Sequence, residues 1–244
     1  EDEIFFEAYE HFIDYLKTKT NCTVLRHPQA EADDLIAMWT QEHPQDDHVI
    51  VSTDSDFYQL VKENVSQYNG VTDQIVRHDG IFEAKTMKRA IDKKTQEPKP
   101  IPDPKWLLFE KCVRGDTSDN IFSAFPGARK KGSKNKTGMQ EAFADMERGG
   151  FDYNNFMLQR WVDHNDEEHR VIDDYERNKI LIDLTLQPDE IKDGVREVFS
   201  ESVDKEKVAN VGIHFMKFCN KWNMPKLTDA ATEFGEILNA CQKQ

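Results

Sequence analysis

The chain has 244 residues, of which 38% are hydrophobic and 32% are charged, so disorder throughout is excluded and one sizeable core is expected. Its formal net charge of −14 argues against a nucleic-acid partner unless basic residues are concentrated where a phosphate backbone would run. The sequence has no long apolar run and no basic, apolar leader, so a cytosolic protein is expected. The cysteines form no CxxC pair, which favours reduced thiols over zinc or disulfides.

The first part of the chain alternates between helical and extended patterns. Residues 4–17 carry apolar and aromatic side chains at helical spacing, and residues 22–25 predict a short strand. A second helix is predicted to begin near Gln29, just after Pro28. The β-branched run over residues 48–53 is typical of a strand buried in a parallel sheet.

Two further strands follow before the pattern changes. Residues 55–61 are predicted to be helical, and short strands are predicted over residues 65–69 and 74–78. This order indicates an α/β fold with a mostly parallel central sheet and helices on both faces. A proline-rich linker then leads to an almost wholly helical region, which gives predicted domains of 1–103 and 104–244.

The first acidic motif contains Glu31, Asp33 and Asp34, at the predicted start of the second helix. Acidic side chains in a first turn commonly do no more than offset the helix dipole. Residues two apart do not share a helix face, so Glu31 and Asp33 can bind one metal only if Glu31 lies at or before the cap. Both interpretations stay open.

The second acidic motif, Asp54-Ser55-Asp56, comes directly after the predicted strand 48–53. Ligands of open parallel sheets bind beyond the carboxyl ends of the strands, where these two carboxylates would project. Residues i and i+2 point to the same side while the chain is extended, so both could face cations. The alternative is that Asp54 or Ser55 only caps the following helix.

The third acidic motif, GDTSDN, follows an amphipathic run over residues 106–113. Asp116 and Asp119 are three apart, which would place both on one side of a helical turn, although a solvated turn would use the same residue types. The carboxylates of the three motifs would repel one another without cations. Because no His or Cys stands nearby, oxygen ligands favour Mg²⁺, with Mn²⁺ as an alternative, over zinc.

Together, the segments EADDLIA, STDSDF and KCVRGDTSDN resemble, in this order and at these separations, the metal-binding motifs of the flap endonuclease (5′-nuclease) family. The segment from Tyr175 to Asp183 also resembles one in phage RNase H members of that family. The resemblance runs from about Gln29 to Leu186. It implies a PIN-like nuclease core, 5′-3′ exonuclease, flap endonuclease and RNase H activity, and removal of RNA primers and flaps during DNA replication, in a host cytosol for a phage protein.

The resemblance also implies a set of ligands for two Mg²⁺ ions. The first ion would be held by Glu31, Asp33 and Asp54, and the second by Asp56, Asp116 and Asp119. Such ions would generate hydroxide from bound water and neutralise charge on the phosphate, so no aspartate need be a nucleophile.

In this family the third motif is followed by a helix–three-turn–helix that grips DNA, which would lie at about residues 116–145 here. A basic run in that segment supplies the expected phosphate contacts, from Arg129, Lys130, Lys131, Lys134 and Lys136. The run lacks the compact GxGxK hairpin of the family, so a monovalent ion is not expected. A solvated basic loop is the alternative. Implied partners are 5′-flap or forked DNA and RNA–DNA hybrids, with a single-strand-binding protein and a sliding clamp, and no membrane.

Nothing before Glu31 matches the first strand, the upstream aspartates or the arch of the family. We therefore expect the 244-residue chain alone to be poorly stable and inactive, and to retain the second ion better than the first. A catalytically incomplete DNA-binding protein of the same fold is the first alternative. The second is an unrelated acidic protein whose motifs bind calcium or cap helices, although the regular EF-hand ligand series is missing.

Overall fold

The computed structural model describes residues 2–128, 138–148, 155–203 and 206–240. The helices are α1 (Asp2–Lys19), α2 (Ala32–Glu42), α3 (Pro104–Arg114), α4 (Met139–Glu147), α5 (Val171–Ile182), α6 (Asp189–Val203), α7 (Val211–Lys221), α8 (Pro225–Asp229) and α9 (Ala231–Asn239), with a 3-10 helix over Ser55–Leu60. The strands are β1 (His48–Val51), β2 (Val65–Asn69), β3 (Gln74–Arg77), β4 (Gly80–Glu83), β5 (Arg160–Val162) and β6 (Glu168–Arg170). None of these helices is long and apolar enough to cross a membrane.

The chain forms two compact units, each taken by itself below. The first comprises Glu1–Leu35 and Asp189–Gln244, and the second comprises Ile36–Pro188. The predicted division between residues 103 and 104 rests on the proline-rich linker and the change to helical patterns, and it stays a prediction.

The first unit is helical. Its core contains Tyr15 of α1, Phe215 and Cys219 of α7, and Ala231 of α9. The predicted helix over residues 4–17 is confirmed as α1. The predicted strand over residues 22–25 is wrong, because this segment has no regular structure.

Hydrogen bonds hold the segment after α1, but neither of the two described next involves a strand. They join Asn21 to the irregular segment before α7 and to the end of α9. Asn21 receives a hydrogen bond from the backbone N–H of Val208 at 2.7 Å, and its own N–H donates to the Leu238 carbonyl at 2.9 Å. A short apolar pattern predicts extended chain, but only a partner strand can make it part of a sheet.

The second unit contains a four-stranded sheet with the order β1-β2-β3-β4. β1 and β2 are parallel, whereas β2 with β3 and β3 with β4 are antiparallel. The prediction of a mostly parallel sheet is therefore wrong, and the sheet is mixed. The reason is the short turns, since parallel neighbours need a crossover connection of about a dozen residues or more.

β1 lies at the edge of this sheet. Ile50 is buried, but Val49 and Val51 are 63% and 74% exposed. The predicted strand is therefore confirmed and pairs in parallel with β2, but the predicted burial is wrong for Val49 and Val51. β-branched composition indicates extended chain, but it does not determine how many neighbours the strand acquires.

Next to the sheet, α3 and α5 pack around a second core. Phe109 and Val113 of α3 are fully buried in one cluster with Tyr175 of α5. The buried Asn178 amide donates to the carbonyls of Cys112 at 2.8 Å and Phe122 at 2.7 Å. It thereby ties α5 to the chain that leaves α3. The antiparallel pair β5–β6 was not predicted, because the sequence analysis expected helices throughout this region.

Candidate active site

The second acidic motif lies where β1 ends. Asp54 has an extended backbone (φ −73°, ψ 126°), and its Oδ1 accepts a hydrogen bond from the Asp56 backbone N–H at 2.9 Å. Asp54 therefore caps the 3-10 helix, as the alternative interpretation proposed. It remains exposed, and its second carboxylate oxygen is not used by this cap.

Gln67 of β2 holds this end of β1 in place. The residue is fully buried, and its Nε2 donates to the carbonyls of Ser52 at 2.8 Å and Asp54 at 2.7 Å. The sequence analysis missed this residue. Gln67 could have been noticed because it is a polar residue at a position of β2 that alternation predicts to be buried. A buried amide requires hydrogen-bond partners.

The third acidic motif forms a closed loop rather than a helical turn. α3 ends at Gly115 (φ 73°, ψ −178°), and the backbones of Asp116 and Ile121 form an antiparallel bridge with hydrogen bonds of 2.9 and 2.7 Å. The Ser118 N–H donates to Asp116 Oδ1 at 3.0 Å, and the Ser118 hydroxyl donates to the same oxygen. The predicted helical face shared by Asp116 and Asp119 is therefore wrong, because the bridge closes the segment differently.

Lys111 joins the second and third motifs. Its Nζ lies 2.5 Å from the Asp56 carboxylate and 3.1 Å from Asp116 Oδ2. The three side chains are between 20% and 30% exposed, so they lie at a half-buried rim. Lys111 could not be identified from the sequence, because helix α3 ends between it and Asp116 and no periodicity relates the two.

The charges of this cluster reinforce one another. Burial lowers the pKa of Lys111, but hydrogen bonds to Asp56 and Asp116 outweigh it and the pKa is raised. Hydrogen bonds from Ser118 and then Lys111 lower the pKa of Asp116 to about 2. Asp116 is thus ionised near neutral pH beside a charged ammonium group.

This shift makes Asp116 a source of acid sensitivity. Its folded pKa of about 2 lies below the ordinary value of 3.8, so the unfolded chain binds the proton more readily. The resulting stabilisation is complete above about pH 4 and is lost as the pH falls through about 2. We expect the unfolding free energy of Asp116→Asn, from urea titrations, to fall less steeply across this window than that of the wild type. Equal slopes would contradict the assignment.

The first acidic motif belongs to the other unit. The Leu35 N–H donates to the Glu31 carbonyl at 3.2 Å, which places Glu31 at the cap of α2. The Glu31 N–H in turn donates to Asp34 Oδ2 at 3.1 Å, so Asp34 has a capping contact. Glu31 is exposed before the first turn, as one-metal binding with Asp33 requires. Their role as metal ligands stays a prediction.

The remaining predicted site residues fall into two groups. Asp119 is exposed in the same loop as Asp116. The basic residues lie outside the described residues: Arg129, Lys130, Lys131, Lys134 and Lys136. Of the predicted helix–three-turn–helix over residues 116–145, the structure describes residues 116–128, which include the closed loop, and residues 138–145, which include most of α4.

The donor chemistry suits a divalent cation, but the described ligands only partly converge. Asp54, Asp56 and Asp116 offer oxygen atoms, which Mg²⁺ prefers. The cation between Asp56 and Asp116 is the Lys111 ammonium group. Among described residues, no three of the predicted ligands place their ligand atoms all within 4.8 Å of one another.

The fold and this cluster define an α/β protein with acidic motifs gathered beyond the end of a parallel strand. Residues 4–91 match the family model of the 5′-3′ exonuclease, N-terminal resolvase-like domain. This match covers about a third of the chain, and it agrees with the resemblance to the 5′-nuclease family seen in the motifs. No curated protein matches the chain.

Several solved structures are similar to the chain. A T5 protein co-crystallised with metal ions has a TM-score of 0.49 and 19% identity, covering 82% of this chain and 70% of that one. A mutant of T5 5′-exonuclease has a TM-score of 0.48 and 18% identity, covering 81% and 76%. T5 5′-exonuclease with bound zinc has a TM-score of 0.48 and 19% identity, covering 82% and 69%.

Proposed function

We propose that the protein is a metal-dependent 5′-nuclease that hydrolyses phosphodiester bonds at 5′ ends or flaps. Its substrates would be RNA primers and flaps formed during DNA replication, which makes it a 5′-3′ exonuclease, flap endonuclease and RNase H. The observation that carries the proposal is the Asp56–Lys111–Asp116 cluster, which joins two acidic motifs distant in sequence. The family of residues 4–91 supports it independently.

In this proposal Asp54 would hold one Mg²⁺ or Mn²⁺ ion through carboxylate oxygens, and Asp56, Asp116 and Asp119 would hold a second. Such ions, when bound, would supply hydroxide from bound water near neutral pH and would neutralise charge on the phosphate. The chain's own contribution is to hold Asp116 ionised, through Ser118 and Lys111, and to hold the end of β1 through Gln67. The assignment of Glu31 and Asp33 to the same ion as Asp54 continues to rest on the resemblance alone.

The basic run is proposed to contact the nucleic-acid backbone. Replacing Lys130, Lys131, Lys134 and Lys136 with glutamine should weaken duplex binding to a similar extent for every sequence. The logarithm of the binding constant should also fall less steeply with the logarithm of the salt concentration. The reason is that fewer phosphate contacts release fewer counterions when the protein binds. Fluorescence anisotropy over a salt series measures both quantities. A slope unchanged from wild type would mean that the run does not touch DNA.

The function is tested by assaying the full-length protein on labelled 5′-flap and RNA–DNA substrates, with Mg²⁺ or with a chelator. Cleavage that requires Mg²⁺ and begins at the 5′ end supports the proposal. Tight binding of the flap substrate without cleavage would favour the alternative of a catalytically incomplete DNA-binding protein. That alternative is favoured by one observation, the Lys111 ammonium group between two of the proposed metal ligands.

A further inference from the structure

A second group of metal-binding side chains lies on the β5–β6 hairpin, apart from the acidic motifs in sequence. Asp163, Glu167 and His169 each offer one ligand atom, and these atoms all lie within 4.8 Å of one another. A pocket of about 640 Å³ is lined by Asp163 and His169 together with Asp174. His169 supplies a nitrogen donor, and Asp163 and Glu167 supply carboxylates, whereas the three acidic motifs offer oxygen donors alone.

The His169 ring is held in one orientation. Its plane stacks on Trp161, with ring centroids 4.5 Å apart and an interplanar angle of 16°. The Trp161 indole N–H donates to the Ala124 carbonyl at 2.9 Å, which anchors the stack. The ring is thus positioned by the fold rather than by solvent.

The two nitrogens of His169 have different surroundings. Nδ1 lies 3.0 Å from the carboxylate of Asp174, a buried residue that also accepts from Arg177 at 2.7 Å. A neutral imidazole that donates from Nδ1 carries its lone pair on Nε2. His169 Nε2 is buried and has no hydrogen-bond partner among the described residues. A histidine held by a carboxylate through one nitrogen, with the other vacant, is the usual arrangement of a metal-binding imidazole.

Asp163 is placed so that it could share a metal ion with His169 Nε2. Asp163 Oδ1 accepts the backbone N–H groups of Asn165 and Glu167, both at 2.9 Å, which shapes the turn. Its Oδ2 accepts only a longer bond of 3.3 Å, from the Asn165 side chain, and lies 3.8 Å from His169 Nε2. Ligand atoms on one tetrahedral zinc ion are about 3.4 Å apart, so a small adjustment suffices. The backbone N–H of Glu167 helps to lower the pKa of Asp163, which favours the ionised ligand.

We propose that Asp163, Glu167 and His169 form a binding site for a transition-metal ion, Zn²⁺ being the best fit to one imidazole and two carboxylates. Asp174 orients His169 through Nδ1. A bound ion would satisfy the orphaned Nε2 and cross-link the turn between β5 and β6. Its ligands differ from those proposed for the nuclease metals, none of which is a histidine.

The test is calorimetric titration of the full-length protein with Zn²⁺ in excess Mg²⁺, which occupies the oxygen-only sites. We expect the wild type to bind one Zn²⁺ per chain. In His169→Gln and in Glu167→Gln the affinity for Zn²⁺ should fall at least 10-fold, roughly the loss seen when supporting residues of metal sites are removed. Asp166→Asn is the matched control, because it removes a charge from the same turn and Asn tolerates its positive φ of 62°.

Circular dichroism establishes that each variant is folded. If His169→Gln does not fold, the exposed Glu167→Gln decides the result by the same criterion. No Zn²⁺ binding by the wild type would overturn the proposal, as would equal affinities in the wild type and Glu167→Gln. An equal loss in Asp166→Asn would also overturn it, because general charge rather than coordination would then explain binding. Flap cleavage is not the readout, so this result is independent of the proposed function.

Discussion

Replacing Asp56 with asparagine is expected to reduce Mg²⁺-dependent cleavage of a 5′-flap substrate at least about 100-fold, because losing even a supporting residue of a metal site costs 10–100-fold. Asparagine keeps the size of the side chain but removes the charge that Asp56 presents to Lys111 and to a metal. Asp54→Asn should have a similar effect on cleavage. Both variants should stay folded, since Asp54 is exposed and Asp56 lies at the rim.

The measurement is the single-turnover rate on a labelled flap at several Mg²⁺ concentrations. Asp79→Asn is the control, because it makes the same chemical change in the turn between β3 and β4, where Asp79 forms an ion pair with Arg77 at 3.3 Å. Its rate should match that of the wild type. Wild-type rates in both Asp54→Asn and Asp56→Asn would refute the assignment of the second motif to metal binding.

Replacing Gly115 with alanine is expected to lower the unfolding free energy by at least about 2 kcal/mol, since residues forced into glycine-only backbone regions cost about 1–3 kcal/mol before any clash is counted. Gly115 has φ 73° and ψ −178°, a conformation that is essentially restricted to glycine. An added Cβ would also lie 2.3 Å from the Ile121 carbonyl oxygen and 2.6 Å from the Phe122 carbonyl carbon. Both neighbours are backbone atoms, so relief requires the loop to move.

That movement would displace Asp116, which follows Gly115 directly, from Lys111. We therefore expect Gly115→Ala to lose flap cleavage as well as stability, in urea denaturation and the same cleavage assay. Gly212→Ala is the matched control, because a Cβ at Gly212 in α7 meets no atom within 4 Å. It should stay within about 1 kcal/mol of the wild type, as expected for Gly to Ala in a helix. Equal stabilities of the two variants would show that the Gly115 turn is not constrained as described.

Local patterns in the sequence were sufficient for many of the elements. Aromatic spacing predicted α1, and β-branched residues predicted β1, β2 and β3 nearly at their observed bounds. The acidic motifs could also be found without a structure, because the order of the motifs resembles a known family. Hydrophobic periodicity and capping are properties of neighbouring residues, so a single sequence carries them.

The pairing of these elements depended on the tertiary structure. β3 and β4 follow tight turns and add antiparallel strands, which no periodicity distinguishes from parallel ones. β4, β5 and β6 were missed, since strands this short have too few residues to show a pattern.

The candidate site shows the same division. The sequence by itself determined which carboxylates stand at the ends of elements, including Asp54, Asp56 and Asp116. Only the tertiary structure decided that Lys111, 55 residues from Asp56, lies between the carboxylates of Asp56 and Asp116. The same holds for Gln67, whose amide donates to the backbone at the end of β1. The physical reason is that charge pairing and burial depend on distances in space, and these are set by long-range packing rather than by residue spacing along the chain.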